Sequence, residues 1–235
     1  MDKLRWAERI VVVDSGSEDG TLSILDDYPQ VEVFNHSFTD FASQCNYGLD
    51  QVKTPWVLSL DADYELSDAL VSELRSLDAG EEIGGFRANF VYRIYGRSLR
   101  GSLYPPRVVL YRRSGALYHN EGHGHRVSVS GSVRPLSGPI FHDDRKPLSR
   151  WFASQQRYAH EEAKYLLNCS RSDLSRVDRL RLAAWIAPIS VAVYTLFVKR
   201  CLLDGWAGWF YVLQRVLAEM MLVLEILDQR LRRNV

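Results

Sequence analysis

Asp61 and Asp63 stand two residues apart, directly behind the run Trp56-Val57-Leu58-Ser59-Leu60. If that run is a strand, both carboxylates leave its carboxyl end in the same direction. That is the edge at which open α/β sheets bind ligands. Two hard oxygen ligands suit Mg²⁺ or Mn²⁺, with water and diphosphate oxygens filling the other positions. On its own, the pair also describes two solvated loop acids. Asp14-Ser15-Gly16-Ser17 forms a second group. An acid at a strand tip can accept hydrogen bonds from a base or ribose. Ser15 and Gly16 allow a tight turn, and Ser17 is placed to cap a helix whose N-terminus is electropositive. The same residues equally describe a capped β–α turn with no ligand. Glu121-Gly122-His123-Gly124-His125 is the third group. It resembles a zinc hydrolase loop, but no third ligand follows at zinc-like helical spacing. His142-Asp143-Asp144-Arg145 can position an acceptor or cap a helix near Ser149, and capping is the preferred reading.

The elements that must hold these groups follow from periodicity. Ile10-Val11-Val12-Val13 is a continuous β-branched run, the mark of a buried parallel strand. Val31 to Phe34 reads as a second strand, and Phe41, Cys45, Leu49 and Val52 recur at helical spacing. Thr54-Pro55 ends that helix before Trp56–Leu60. Ser67 caps a helix with Leu70, Leu74 and Leu77 on one face, closed by Gly80. This β–α–β–α–β–α order predicts an open, mostly parallel sheet with helices on both faces. Alternation from Phe86 to Ile94 gives one half-buried strand, and Val108 to Tyr111 gives another. Residues 114–147 read as loops with short strands. The expected division is a catalytic α/β domain over 1–147 and a helical region over 148–235.

Leu182 to Val198 carries no charge, contains Pro188 and reaches the lower edge of a membrane span. The next helix, from about Trp206, is amphipathic, with Gln214, Arg215, Glu219, Glu225, Gln229 and Arg232 on one arc. A helical hairpin lying on or dipping into one leaflet fits both segments. A soluble subdomain with a buried hairpin is the bland alternative.

Composition narrows the rest. Hydrophobic content of 46% and charged content of 25% are globular values, which set aside disorder and collagen-like chains. Cys45, Cys169 and Cys201 lie far apart and form no CxxC pair, so a reduced, cytosol-facing compartment is expected. Met1 to Trp6 lacks the apolar segment of a secretory signal. The net charge of zero conceals an asymmetry: residues 1–86 hold 18 acidic and 5 basic side chains, and the remainder 11 and 24. A basic half that also carries the apolar helices suits an anionic membrane surface. Its arginines are dispersed and show no stacking-plus-basic motif, so no nucleic-acid partner is expected.

Val11 to Thr21, followed some forty residues on by Trp56 to Asp63, resembles the family-2 inverting glycosyltransferases of GT-A fold. Within them the branch acting on lipopolysaccharide core and other envelope glycans is the most similar. The likeness continues through Tyr104–Tyr111, Tyr118–Val127 and Asp204–Trp209. The resemblance implies a donor nucleotide site at Asp14, Ser15, Gly16, Asn46 and Asp61, with Mn²⁺ or Mg²⁺ on Asp61 and Asp63. An inverting transfer needs one base for the acceptor hydroxyl. The resemblance places it in the acceptor loop, at Glu121 with His123 next, and leaves a histidine there free to complete the metal shell. The partners implied are a nucleotide-sugar donor, a lipid-linked or envelope glycan acceptor and the cytoplasmic face of the inner membrane, held peripherally or monotopically. Family members usually carry a strand and a Pro-x-x-Asn-Glu turn ahead of this point, so the chain is expected to begin at their second strand. Its rival reading is a truncated, non-catalytic remnant serving as a membrane-associated binding or scaffold protein. A nucleotidyltransferase would need a Gly-rich phosphate loop and a catalytic Lys near its first strand, and neither is present.

Overall fold

The computed structural model describes residues 1–121, 124–170 and 172–233, the side chain of Glu121 excepted. The chain divides into two compact units. One comprises Met1–Phe90 with Pro105–Phe141, and the other Val91–Tyr104 with His142–Val235.

In the first unit, a 3₁₀ turn over Asp2–Leu4 precedes β1 (Ile10–Asp14), α1 (Thr21–Asp26), β2 (Val31–Asn35), α2 (Phe41–Gln51), β3 (Trp56–Leu58), β4 (Tyr64–Leu66) and α3 (Asp68–Arg75). Strands β5 (Ile83–Ala88) and β6 (Phe90–Ile94) follow, the latter leading into the second unit. The single strand expected over Phe86–Ile94 is thus two strands broken at Asn89, whose carbonyl accepts from Ile140 N (2.9 Å). After β7 (Arg97–Ser98), the first unit resumes with β8 (Arg107–Arg112), β9 (Leu117–Glu121), β10 (Gly124–Ser128), β11 (Ser132–Pro135) and β12 (Ile140–His142).

The expected open parallel sheet is corrected by the pairing. β1 and β2 run parallel and in register from Ile10↔Val31 to Asp14↔Asn35. β3 instead pairs antiparallel with β8, within a four-stranded sheet ordered β11-β5-β8-β3 in which β5 and β8 are also antiparallel. The physical reason is that a continuous apolar run specifies burial on both faces and carries no direction. Val109, Leu110 and Tyr111 make β8 one of the two buried inner strands, beside β5, and give β3 its partner. Among the described residues β1 pairs with β2 alone, and its Ile10–Val13 are half-buried rather than buried.

The core of this unit joins Leu66, Leu70, Ile83, Phe86, Val109 and Ile140. Each such side chain contributes about 1.5–3 kcal/mol relative to exposure. Ser67 caps α3 as expected, its Oγ accepting from Leu70 N at 3.1 Å. A second cluster of Ala42, Leu49, Tyr111, Tyr118 and Val127 packs α2 against β8 and the β9–β10 hairpin. That cluster positions the candidate site.

In the second unit, β6 and β7 form an antiparallel hairpin, and α4 (Leu148–Asn168), α5 (Arg176–Leu182), α6 (Ile186–Val193) and α7 (Gly205–Arg233) form the helical body. A π-helical turn at Tyr194–Val198 and a 3₁₀ turn at Cys201–Asp204 link α6 to α7. The expected uncharged run from Leu182 is interrupted where Ala184 adopts φ 60°. Pro188 falls in the first turn of α6, where its missing N–H costs nothing. Asp143 is a local brace here: its Oδ2 accepts from Gly96 N and Arg145 Nε, both at 2.9 Å. Among the described residues no single helix is long and apolar enough to cross a membrane.

Candidate active site

Two of the separated motifs, the β1 tip and the β9–β10 hairpin, meet at the first two turns of α2. Asp40 caps this helix, accepting from Ser43 N (2.9 Å) and Ser43 Oγ (2.6 Å). It also accepts from Asn120 Nδ2 (3.0 Å), and Ala42 N donates back to Asn120 Oδ1 (3.3 Å). The Ser43 hydroxyl, then the backbone N–H of Ser43, holds the Asp40 carboxyl down at about 2. One turn on, Gln44 Nε2 donates to Ser15 Oγ (2.9 Å), and Gln44 Oε1 lies 2.8 Å from His36 Nδ1. The helix therefore grips the tip of β1 from one side and the β9–β10 hairpin from the other.

The tip of β1 differs in detail from its sequence reading. Asp14 is buried, and its Oδ2 accepts from Gly16 N (2.8 Å) and Ser17 N (2.9 Å) while Oδ1 accepts from Ser17 Oγ (2.5 Å). These bonds, led by the Ser17 hydroxyl, lower the Asp14 pKa and hold it ionised. Gly16 takes φ 90°, which a side chain would strain. Ser17 is thus bound by the acid rather than capping a helix. Helix α1 begins four residues later at Thr21, behind Gly20, with no side-chain cap bond.

Asn46, expected at the donor nucleotide, is engaged at both ends by the backbone of Tyr118: Nδ2 donates to its carbonyl (3.1 Å) and Oδ1 accepts from its N–H (2.9 Å). It positions the hairpin. The Tyr118 hydroxyl donates to Ser59 Oγ (2.8 Å) and lies 2.8 Å from Tyr111 OH. Burial raises the pKa of both phenols, so this chain of hydroxyls stays neutral. Ser59 extends β3 by one ladder bond, its N–H donating to Val109 O at 2.7 Å. The hairpin is therefore tied to the strand that leads into Asp61. Tyr118→Phe is expected to leave Ser59 and Tyr111 without that partner and to destabilise the protein by about 1–3 kcal/mol in urea unfolding. A change below about 0.5 kcal/mol, the level of a neutral surface substitution, would refute the role.

Asp61 and Asp63 sit on the turn between β3 and β4, closed by Tyr64 N donating to Asp61 O (3.0 Å). Asp61 is exposed and Asp63 half-buried. The charge of Asp61 reaches two further groups. Burial, then Asp61, pushes the Cys45 thiol up to about 11, against a smaller downward pull from Arg107. Burial lowers the His125 pKa, with Asp61 opposing and Arg107 assisting. His125 lies on β10 opposite Asn120, its ring 5.5 Å from Phe41 and 5.6 Å from Tyr118. Glu121 ends β9 opposite Gly124. Its side chain and His123, the two expected catalytic groups, lie outside the described residues.

Sequence reasoning missed Asp40, Gln44, Asn120 and Arg107. Asp40 was legible as an N-cap residue, and Arg107 as the only charge in Tyr104–Tyr111. Among the described residues no three His, Cys, Asp or Glu side chains converge into a closed metal cage. The donor set still fits Mg²⁺ or Mn²⁺, which bind through one or two carboxylates and take their remaining oxygens from phosphates and water.

Residues 7–128 match the family model described as Glycosyl transferase family 2. Over 119 residues the chain is 34% identical to the lipopolysaccharide core biosynthesis glycosyltransferase LpsC of Rhizobium meliloti (strain 1021). That alignment covers 48% of this chain and 42% of LpsC, so the chain spans less than half the length of this relative. Two crystal structures of S. aureus TarS 1-349 also overlay, at 13% identity. The complex with UDP-GlcNAc overlays on 96% of this chain and 83% of its own, with a TM-score of 0.38. For the second, the values are 97%, 82% and 0.36. Overlays this loose carry no weight for the present chain.

Proposed function

Because this chain belongs to glycosyl transferase family 2, we propose that it moves a sugar from a nucleoside-diphosphate sugar to an envelope or lipid-linked glycan acceptor, with inversion at the anomeric carbon. The observation that carries this reading is that α2 braces both the β1 tip and the β9–β10 hairpin, and that the hairpin is tied through Tyr118 and Ser59 to the strand leading into Asp61. In this reading one helix would brace a nucleotide site on one side and an acceptor loop on the other.

Asp14 and Ser15 would face the nucleoside, with the Asp14 carboxylate already ionised and fixed by its own turn. Asp61 and Asp63 would hold Mn²⁺ or Mg²⁺, which when bound supplies positive charge to the departing diphosphate. Arg107, whose charge is felt at both Cys45 and His125, would add a second cation on that side. Glu121 would take the proton of the acceptor hydroxyl as its oxygen bonds to the anomeric carbon. The bond from that carbon to the diphosphate oxygen breaks on the opposite face, so the configuration inverts. Positioning of donor and acceptor supplies much of the rate. We place the reaction at the cytoplasmic face of the inner membrane, where a lipid-linked acceptor is accessible.

A screen of sugar nucleotides against thermal unfolding, with Mn²⁺ present, tests the reading. A true donor at a hundredfold excess over its Kd is expected to stabilise the fold by about 2.7 kcal/mol. For a chain of this size that is a rise in Tm of several degrees. No shift with any uridine, guanosine, cytidine or thymidine diphosphate sugar would remove the donor site.

A further inference from the structure

The helical unit is apolar on the outside and polar within along one continuous stretch. From Ala183 to Leu224 every exposed residue is apolar, apart from Gly205, Tyr194 and Arg200. On α7, Trp206, Trp209, Leu213, Met220 and Leu224 recur at steps of three, four and seven, and so form one stripe. From Gln214 to Glu225 the polar side chains of the same helix are turned away from this stripe and half-buried. Glu219 Oε1 accepts from Arg181 Nε (3.1 Å) and Nη2 (2.8 Å), and Arg181 Nη1 donates to Glu162 Oε1 (3.2 Å). Glu225 pairs with His160 at 2.7 Å. From Gln214 to Gln229 the polar arc legible in the sequence is therefore the protein-facing side, while Arg232 at its end is exposed and pairs with Asp228.

A contiguous apolar surface of this kind marks a lipid or protein contact. Three observations identify lipid. First, the exposed charge beside the stripe is basic. Arg97 lies over the Trp206 ring (5.7 Å), and Arg100 Nε pairs with Asp204 (3.2 Å), whose own side chain is tucked in. Exposed Arg200 and half-buried Lys199 complete the group, and no acidic residue from 183 to 224 is exposed. Secondly, Trp185, Trp206, Trp209 and Tyr194 are exposed, the side-chain types that prefer the headgroup level. Thirdly, Ile186–Val198 is about 20 Å long, short of the roughly 30 Å hydrocarbon core. It also meets Cys201–Arg233 at a bend of 68°. The bend is fixed in shape: Arg200 and Gly205 take φ 60° and 61°, and a Cβ on Gly208 would fall 1.8 Å from the carbonyl oxygen of Cys201.

We propose that this bent pair is a preformed wedge lying in the plane of one anionic leaflet, led by Leu202, Leu203 and Trp206. Arg97, Lys199 and Arg200 meet lipid phosphates, and the polar face of α7 stays on the protein. The proposal rests on the membrane placement given above and adds its orientation and lipid preference.

The test is flotation of the full chain with phosphatidylcholine vesicles, with and without about one-third phosphatidylglycerol. Strong binding is expected only with the anionic lipid, weakened by salt. Lys199→Gln and Arg200→Gln are each expected to reduce partitioning about fivefold. Leu203→Glu with Trp209→Glu should abolish it, and because both sites are exposed the variant should unfold at an unchanged temperature. Equal binding of that variant, or no binding by the wild type, overturns the proposal. So does a dimer in light scattering that the same variant dissociates, which would make the stripe a contact between copies. An Asp61→Ala chain should still float, so failure of the sugar-nucleotide site and failure of the wedge are read separately.

Discussion

Asp61→Ala and Asp63→Ala are each expected to lower Mn²⁺-dependent affinity for the donor nucleotide about 100-fold or more, and transfer about 1,000-fold. The protein offers two carboxylates on one turn and no third His, Cys, Asp or Glu close enough to close a cage among the described residues. In the proposed site, losing either one would leave a single protein ligand for a cation that would already depend on phosphate oxygens. Positive charge at the leaving group is worth several kcal/mol, and each 1.36 kcal/mol is a factor of ten. Asp61 is exposed, so its replacement should leave the fold within about 0.5 kcal/mol. Calorimetric titration of uridine diphosphate with and without a chelator checks the pair. Unchanged metal-dependent binding in both variants would remove the metal from this turn.

Glu121→Gln is expected to separate binding from chemistry. The amide keeps the size of the carboxylate but takes no proton, so donor affinity should stay within about twofold. Turnover should fall by 10²–10⁴, roughly the range for a lost general base. Single-turnover transfer to a glycan acceptor, alongside donor binding, makes the measurement. A fully active Gln variant would move the base to another group. His123, the second candidate, is the residue to replace next, followed by His125 on β10.

How much of this was legible depends on whether a feature is local. Asp61 and Asp63 could be placed behind a strand because a short apolar run followed by polar residues is a local signal, and the turn between β3 and β4 is where they lie. The partner of that run could not, since Trp56–Leu58 would read the same in either orientation, and β8 decides the matter from fifty residues away. Asp14 was legible as a strand-tip acid, but Ser17 was misplaced, because its hydroxyl serves the acid before it and not a helix after it. The bracing role of α2 was invisible. Gln44 reaches Ser15, Asn46 reaches Tyr118 and Asp40 reaches Asn120, contacts 29, 72 and 80 residues apart in the chain. For α7 the two faces were correctly separated by periodicity. Which of them is wet is a property of the neighbours, and here Arg181 and His160 draw the polar arc inward.

The brace has a consequence for anyone recombining such enzymes. The β9–β10 hairpin cannot be exchanged as a cassette, because its backbone at Tyr118 is held by Asn46 and its Asn120 by the cap of the same helix. A graft that changes only 117–128 would inherit a foreign socket and disturb the β1 tip on the far side through Gln44. A transplantable piece must take the hairpin together with residues 36–46 and keep Leu49, Ser59 and Tyr111 beneath Tyr118, segments far apart in the gene that behave as one module.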